Sequence, residues 1–347
     1  MKKSNSLINS NFLNIVPMIC SLMVVMIHQH LVAGDAYTAS SRIISFFTHG
    51  LCTAAVPTFF LLSRYLFFRN TDALSAVFQK QTKRIKSVLM PFLAWSAFYY
   101  ALYAAVSVAV PSFLESAVNL SPLGILKGIV FYEYSFPLWY MFQLCVFVLL
   151  TPVLMLILKN KIASIAVLTI ATVLGFMGTE LSVDVGGYER SLFQVNFFAY
   201  YWLGCLLTRL PDMQTAIVTL AKKLPYAVIL VVLLGASILA SLLFDELIPS
   251  FNNRIAIPLV FAAFLLLMAK FCHRDKLYAA PKVSTMVIYG VHSAVGIFLG
   301  KLLLSRAGLP AIIHFPISFI AVAAVSAAVA WIMRYIKPIH WVFSGAR

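Results

Sequence analysis

Ile19-Cys20-Ser21-Leu22-Met23-Val24-Val25-Met26-Ile27-His28-Gln29-His30 is the stretch on which the reading of this chain turns. It belongs to an apolar run long enough to cross a bilayer, yet it carries two imidazoles near one end. An ionisable side chain in hydrocarbon is costly unless it faces protein or water. His28 therefore marks either a functional interior or a structural histidine bonded to a neighbouring helix, and the stretch alone leaves both open.

Beyond this stretch the composition has the same character. The chain has 347 residues, 62% hydrophobic and only 11% charged, with a mean hydropathy of +0.94. No soluble domain of this size hides so much apolar surface, so the expectation is an all-α, polytopic membrane helix bundle forming a single domain over 1–347. The net charge of +15 does not point to nucleic acid, because the basic residues fall in alternate short loops. Cys20, Cys52, Cys145, Cys205 and Cys272 are odd in number and lack any C-x-x-C, which argues against a disulfide framework or a metal site. The first run is too long for a signal-peptide core despite the Ala33-Gly34 that follows it, and is read as a retained span.

At about 20 apolar residues per span, ten spans are expected, over 12–33, 44–68, 87–110, 138–158, 162–178, 193–209, 224–243, 255–271, 283–304 and 311–333. Backbone groups in lipid must be satisfied within each segment, so these are helices. With the N-terminus inside, only Arg42, Lys127, Arg190, Arg254, Lys301 and Arg306 fall outside and Arg64 within a span, leaving 19 of the 26 basic residues on the cytoplasmic side. Both termini are thus expected in the cytoplasm. The long loop 111–137 contains a short apolar segment, 124–131, expected to be interfacial or re-entrant.

Three clusters are able to carry chemistry. Asn14, Ser21 and His28 recur every seven positions along one helical stripe, which lines a substrate path or serves as packing glue. In the ninth span Thr285, Tyr289 and His292 share a face, bringing a second imidazole near mid-membrane. Neutral histidine near pH 7 takes a proton from a hydroxyl and returns it to a leaving group. Lys83, Arg84 and Lys86, with Lys80, precede the third span, where they either dock a phosphorylated cofactor or anchor the helix on anionic lipid. Arg64, about a turn from the inner end of span two, either snorkels or faces inward as an anion ligand. His49, His273, His314 and His340 lie near span ends and are expected to be solvated. Trp139 has the position of an interfacial aromatic.

Several of these residues fall in order within a familiar pattern. Ser21-Leu22-Met23-Val24-Val25-Met26-Ile27-His28, Val56-Pro57-Thr58-Phe59-Phe60-Leu61-Leu62-Ser63, Lys83-Arg84-Ile85-Lys86 through Pro91 and Trp95, Pro137-Leu138-Trp139-Tyr140 with Thr151-Pro152, Phe198-Ala199-Tyr200-Tyr201-Trp202-Leu203-Gly204 and Ile288-Tyr289-Gly290-Val291-His292 follow one another along nearly the whole chain. Together they resemble the acyltransferase-3 family of membrane O-acyltransferases, in particular short forms without a soluble domain, similar to enterobacterial common antigen O-acetyltransferases. Three positions depart from the family pattern: a usual arginine eleven residues ahead of the first-helix histidine is Pro17, the glycine after the second-helix serine is Arg64, and an arginine often found just before the Val-Pro is Thr53.

The resemblance implies an enzyme of the bacterial inner membrane that moves an acetyl or short acyl group from cytoplasmic acetyl-CoA to a hydroxyl of an envelope polysaccharide or lipid-linked sugar. In that reading His28 is the catalytic base. Asn14, Arg64, Lys83, Arg84 and Lys86 bind acyl-CoA, with Arg64 supplying the charge missing at Pro17. Ser21, Ser63, Trp139, Tyr289 and His292 orient acceptor or base. No metal is called for; the partners are membrane lipid and the glycan acceptor. Two other classes fit the same residues: a transporter or flippase lined by the histidine-bearing helices, and a non-catalytic relative, which the altered arginines favour.

Overall fold

The computed structural model describes residues 6–29, 39–71, 73–110, 118–185, 189–245, 255–273, 278–279, 283–299 and 308–345. His30, the Ala33-Gly34 pair and several of the loop cations (Lys2, Lys3, Arg254, Arg274, Lys276, Lys282, Lys301, Arg306, Arg347) lie outside the described residues.

In chain order the elements are α1 (Ser10–Gln29), α2 (Ala39–Phe68), α3 (Leu74–Ala109), α4 (Pro122–Val130), α5 (Trp139–Leu149), α6 (Thr151–Leu158) and α7 (Lys161–Phe176). A hairpin follows, β1 (Glu180–Asp184) with β2 (Glu189–Gln194). The chain continues through α8 (Val195–Arg209), α9 (Pro211–Lys223), α10 (Tyr226–Asp245), α11 (Ile257–Cys272), α12 (Thr285–Gly296), α13 (Ala311–Met333) and α14 (Lys337–Ser344). Every apolar stretch picked out above carries a helix in its described part. By length and composition α1, α2, α3, α10 and α13 suffice to cross a membrane, and α5 with α6, bent by 59°, makes a sixth. Helices α7, α11 and α12 are apolar but shorter. The chain is a multi-pass membrane protein built as a helical bundle.

Two long helices depart from regular α geometry. A π turn at Phe46–Gly50 runs into a 3-10 turn at Leu51–Ala54 within α2, and α3 has a π turn at Ile85–Leu89. Such turns gather at functional sites, and the second interrupts the basic segment. Where helices approach most closely, glycine permits it. A Cβ on Gly204 of α8 would lie 2.3 Å from the Leu61 carbonyl oxygen of α2, and one on Gly290 of α12 would lie 2.0 Å from Cε2 of Trp95 on α3. Antiparallel α1 and α2 are set in register by the Cys52 Sγ to Met26 Sδ contact of 3.6 Å and by Cys20 against the Thr58 hydroxyl.

The first turn of α1 clamps the far end of the chain. Asn9 and Asn11 donate to the Cys272 carbonyl at 3.0 and 3.1 Å, satisfying an orphan acceptor at the end of α11. Asn11 also accepts from the Tyr278 amide, at 2.9 Å.

The helical bundle carries one hairpin: β1 and β2 pair antiparallel, Glu180 opposite Gln194, and Gln143 of α5 ties it down by donating to Ser191 O at 2.7 Å. The alternation of Leu181 and Val183 with polar neighbours is a strand period too short to register beside the longer spans. Two span-end histidines are not simply solvated. His314 is buried on α13, and His273 bonds Ala269 O at 2.7 Å and Ser6 O at 3.1 Å.

Candidate active site

The two imidazoles anticipated from separate helices meet. His28 Nδ1 lies 3.2 Å from His292 Nε2, with ring centroids 4.8 Å apart. His292 Nδ1 is 2.6 Å from the Tyr289 carbonyl oxygen, and His28 Nδ1 is 2.9 Å from Val24 O. A carbonyl oxygen only accepts, so the network assigns the tautomers of both neutral rings. His292 carries its proton on Nδ1 and offers the Nε2 lone pair to His28. His28 in turn donates from Nδ1, shared between Val24 O and His292, which leaves Nε2 of His28 as the basic nitrogen. Burial divides the pair in the same way: His292 is fully buried, whereas His28 is partly exposed.

The helices hold this pair by bonds that pattern reading does not reveal. Tyr99 of α3 donates to Gly290 O at 2.8 Å and accepts from the Ala294 amide at 3.0 Å, so it brackets His292 on α12. Its place in an aromatic run (Phe98-Tyr99-Tyr100) is indistinguishable from an interfacial belt in the sequence. Beside His28, Gln29 is buried, donating to Val25 O at 3.1 Å and accepting from Ser318 of α13 at 2.9 Å.

Other residues singled out above are used differently. Tyr289 is not turned to His28; its hydroxyl donates to Pro137 O and fixes the start of α5. Ser21 donates to Pro17 O at 2.8 Å within its own helix, and Asn14 donates to Tyr278 O at 2.6 Å. Only Asn14 of these two bonds across to another segment, and only His28 of the seven-residue stripe takes part in the histidine pair. Trp139 is partly exposed and packs on Phe197, centroids 4.9 Å apart; Ser63 is partly buried, next to Arg64.

Lys83, Arg84 and Lys86 do come together, and with Lys80 they line a cleft of about 390 Å³ with Leu66, Phe67, Ser87 and Gly345. Lys83 and Lys86 are exposed. Lys80 is engaged at the end of α2, donating to Phe67 O at 3.1 Å and Arg69 O at 2.9 Å, where the helix dipole favours a cation. No lining residue comes from α1. Next to the histidines the Tyr140 ring lies 5.9 Å from Tyr289, and Tyr289 lies 5.9 Å from His292.

Arg64 neither snorkels nor reaches α1. It is fully buried, with Nε 3.0 Å from Cys205 Sγ on α8 and Nη1 2.8 Å from Thr151 Oγ1 on α6.

A family model described as an acyltransferase domain matches residues 10–335, nearly the whole chain. The chain belongs to the acyltransferase-3 family. No curated protein and no solved structure is matched by it. A neutral imidazole is one of the groups that can take a proton from a hydroxyl and return it. In this acyltransferase the pairing also yields a test of His292. His292→Gln should lower kcat by about 10- to 100-fold, the scale of a misoriented catalytic group, while KM for the acyl donor changes little. An unchanged kcat in steady-state assays would exclude an orienting role.

Proposed function

We propose that this acyltransferase is an O-acetyltransferase of the bacterial inner membrane. It spans the bilayer ten times with both termini in the cytoplasm, as the loop cations favour. The donor is acetyl-CoA from the cytoplasm; the acceptor is a hydroxyl of an envelope polysaccharide or lipid-linked sugar. The observation that carries this reading is the His28–His292 pair, whose geometry leaves one basic nitrogen on a partly exposed ring.

In this scheme His28 Nε2 accepts the proton of the acceptor hydroxyl as its oxygen bonds to the thioester carbonyl carbon. The imidazolium that forms keeps its Nδ1–H directed at the His292 Nε2 lone pair, which spreads the charge in a site where water does not screen it. As the carbon–sulfur bond breaks, His28 returns the proton to the departing thiolate. Protons balance, and the ring ends neutral. Direct transfer needs no covalent enzyme intermediate. Lys83, Arg84 and Lys86 hold the phosphates of the donor by charge-assisted hydrogen bonds.

The experiment is a binding and transfer assay with radiolabelled acetyl-CoA on purified protein in lipid nanodiscs. Acetyl-CoA should bind, and binding should weaken as salt rises, because the screening length falls from about 10 Å at 0.1 M to about 3 Å at 1 M. The Lys83→Ala/Lys86→Ala double variant should raise KM for acetyl-CoA about tenfold with kcat within about twofold, as loss of uniform binding requires. No binding to the wild type, or transport in liposomes without any acyl-CoA, would overturn the proposal.

A further inference from the structure

The short helix α14 is turned inside out. At 100° per residue Pro338, Ile339, Trp341 and Val342 fall on one half of it and His340, Phe343 and Ser344 on the other, with Lys337 at the boundary. A helix packed on a soluble protein buries the first set and wets the second. In α14 Ile339 is 42% and Trp341 46% exposed, whereas Ser344 is only 9% exposed and bonds His340, Oγ 3.3 Å from Nδ1.

This orientation is fixed from within. Trp95 of α3 donates to Phe343 O at 3.1 Å and meets the Phe343 ring edge-on, centroids 4.7 Å apart. Gly345 ends the helix in the left-handed region at φ 79°, so close to α3 that a Cβ would lie 2.4 Å from Ser87 O. The apolar face cannot roll inward without breaking these contacts.

Three observations say what covers it. First, the face continues through Tyr335 and Ile336 the exposed flank of α13, where Ile320, Trp331 and Ile332 stand outward from a 23-residue apolar helix long enough to cross the membrane. Second, Trp331, Tyr335 and Trp341 set three exposed aromatic rings at the end of that span, the pattern of a membrane–water boundary. Third, the cations are placed for phosphate. The Arg334 guanidinium lies over the rings of Trp331 and Tyr335, Cζ 4.9 and 4.7 Å from their centroids, and Lys337 is exposed about one turn further on.

We infer that α14 is an interfacial helix bound to anionic phospholipid. It lies in the headgroup layer at the end of α13, with Ile339 and Trp341 among the upper acyl-chain carbons and Arg334 and Lys337 on lipid phosphates. Because Gly345 and Ser87 both line the basic cleft, the helix sets one edge of that cleft at the height of the headgroups. The inference goes beyond the acyl-transfer reading and needs none of it.

The test places purified protein in nanodiscs of phosphatidylcholine brominated either near the headgroup or near the chain ends, and reads the tryptophan emission that Trp341→Phe removes. Bromine near the headgroup should quench that difference signal about twofold or more, and bromine near the chain ends less. A signal that neither lipid quenches overturns the inference, whether aqueous acrylamide reaches the ring or a second copy of the chain shields it. Stronger quenching from the chain ends also overturns it, because the ring then lies deep in hydrocarbon. For the headgroups, brominated phosphatidylglycerol is supplied as the minority lipid in unbrominated phosphatidylcholine. It should quench Trp341 about twofold more than the same fraction of brominated phosphatidylcholine, and the Arg334→Gln/Lys337→Gln double variant should remove the excess. Equal quenching by the two lipids in wild type, or an excess that survives the double variant, overturns the anionic assignment. Should Trp341→Phe not accumulate, Ile339→Trp supplies the same reading as an added signal: quenching near the headgroup supports the inference, and its absence overturns it.

Discussion

Replacing His28 by alanine is expected to lower acetyl transfer by about 10²- to 10⁴-fold, the usual contribution of a positioned general base, while the protein still folds and still binds acetyl-CoA. At 1.36 kcal/mol per tenfold, this is about 3 to 5.5 kcal/mol of barrier. The loss should fall on kcat. In the proposed scheme His28 touches the reacting hydroxyl, whereas Lys83, Arg84 and Lys86 hold the donor's phosphates. Truncation leaves the buried Nε2 of His292 without its partner, a cost of about 1–3 kcal/mol in stability, so equilibrium unfolding is measured beside transfer. His28→Gln is the sharper control: its amide can still donate toward Val24 O but offers no nitrogen lone pair as a base. Steady-state transfer with each variant, alongside equilibrium acetyl-CoA binding, checks the prediction. Transfer at the wild-type rate by either variant removes His28 from the chemistry.

The second large effect is structural. Gly290→Ala would set a methyl 2.0 Å from Trp95 Cε2 and 2.3 Å from Nε1. The indole is 2% exposed, and its Nε1–H is committed to Phe343 O at 3.1 Å, so it cannot retreat without breaking the bond that ties α14 to α3. Overpacking of this kind costs about 1–3 kcal/mol or more. The same shift would move α12 against Tyr99, whose hydroxyl bonds Gly290 O and the Ala294 amide, and would carry His292 with it. Gly290→Ala should therefore lose both thermal stability and transfer activity, and Gly290→Val should not accumulate as folded protein. Trp95→Leu, introduced with Gly290→Ala, should restore stability by vacating the space. A thermal midpoint for Gly290→Ala equal to wild type would contradict this packing argument.

These two residues show how unevenly the site could be read in advance. His28 and His292 stand out because an imidazole in an apolar run is costly and conspicuous. Gly290 in Ile288-Tyr289-Gly290-Val291-His292 carries no such mark: glycine is common in membrane helices, and nothing in the string says that an indole from α3 fills its missing side chain. Arg64 was conspicuous as well, but its direction was not. Helical periodicity gives the angle of a side chain about its own axis, not which neighbour occupies that angle. The guanidinium could have pointed to α1, to lipid, or to α8 and α6, where it is found.

By itself, then, the sequence determined the membrane class, the helical stretches and the residues whose chemistry is expensive in lipid. Those properties are local: apolar length, backbone hydrogen bonding within one segment, and the cost of a polar atom at a given depth. The tertiary structure alone decided that the two histidines share a hydrogen bond, which ring nitrogen each carbonyl engages, that Tyr289 serves Pro137 and not the base, and that Arg64 is caged by the rings of Phe67, Phe68 and Tyr201. Each of these depends on how helices far apart in the chain are turned toward one another. That rotation is set by the summed packing of their faces, a quantity no single segment contains.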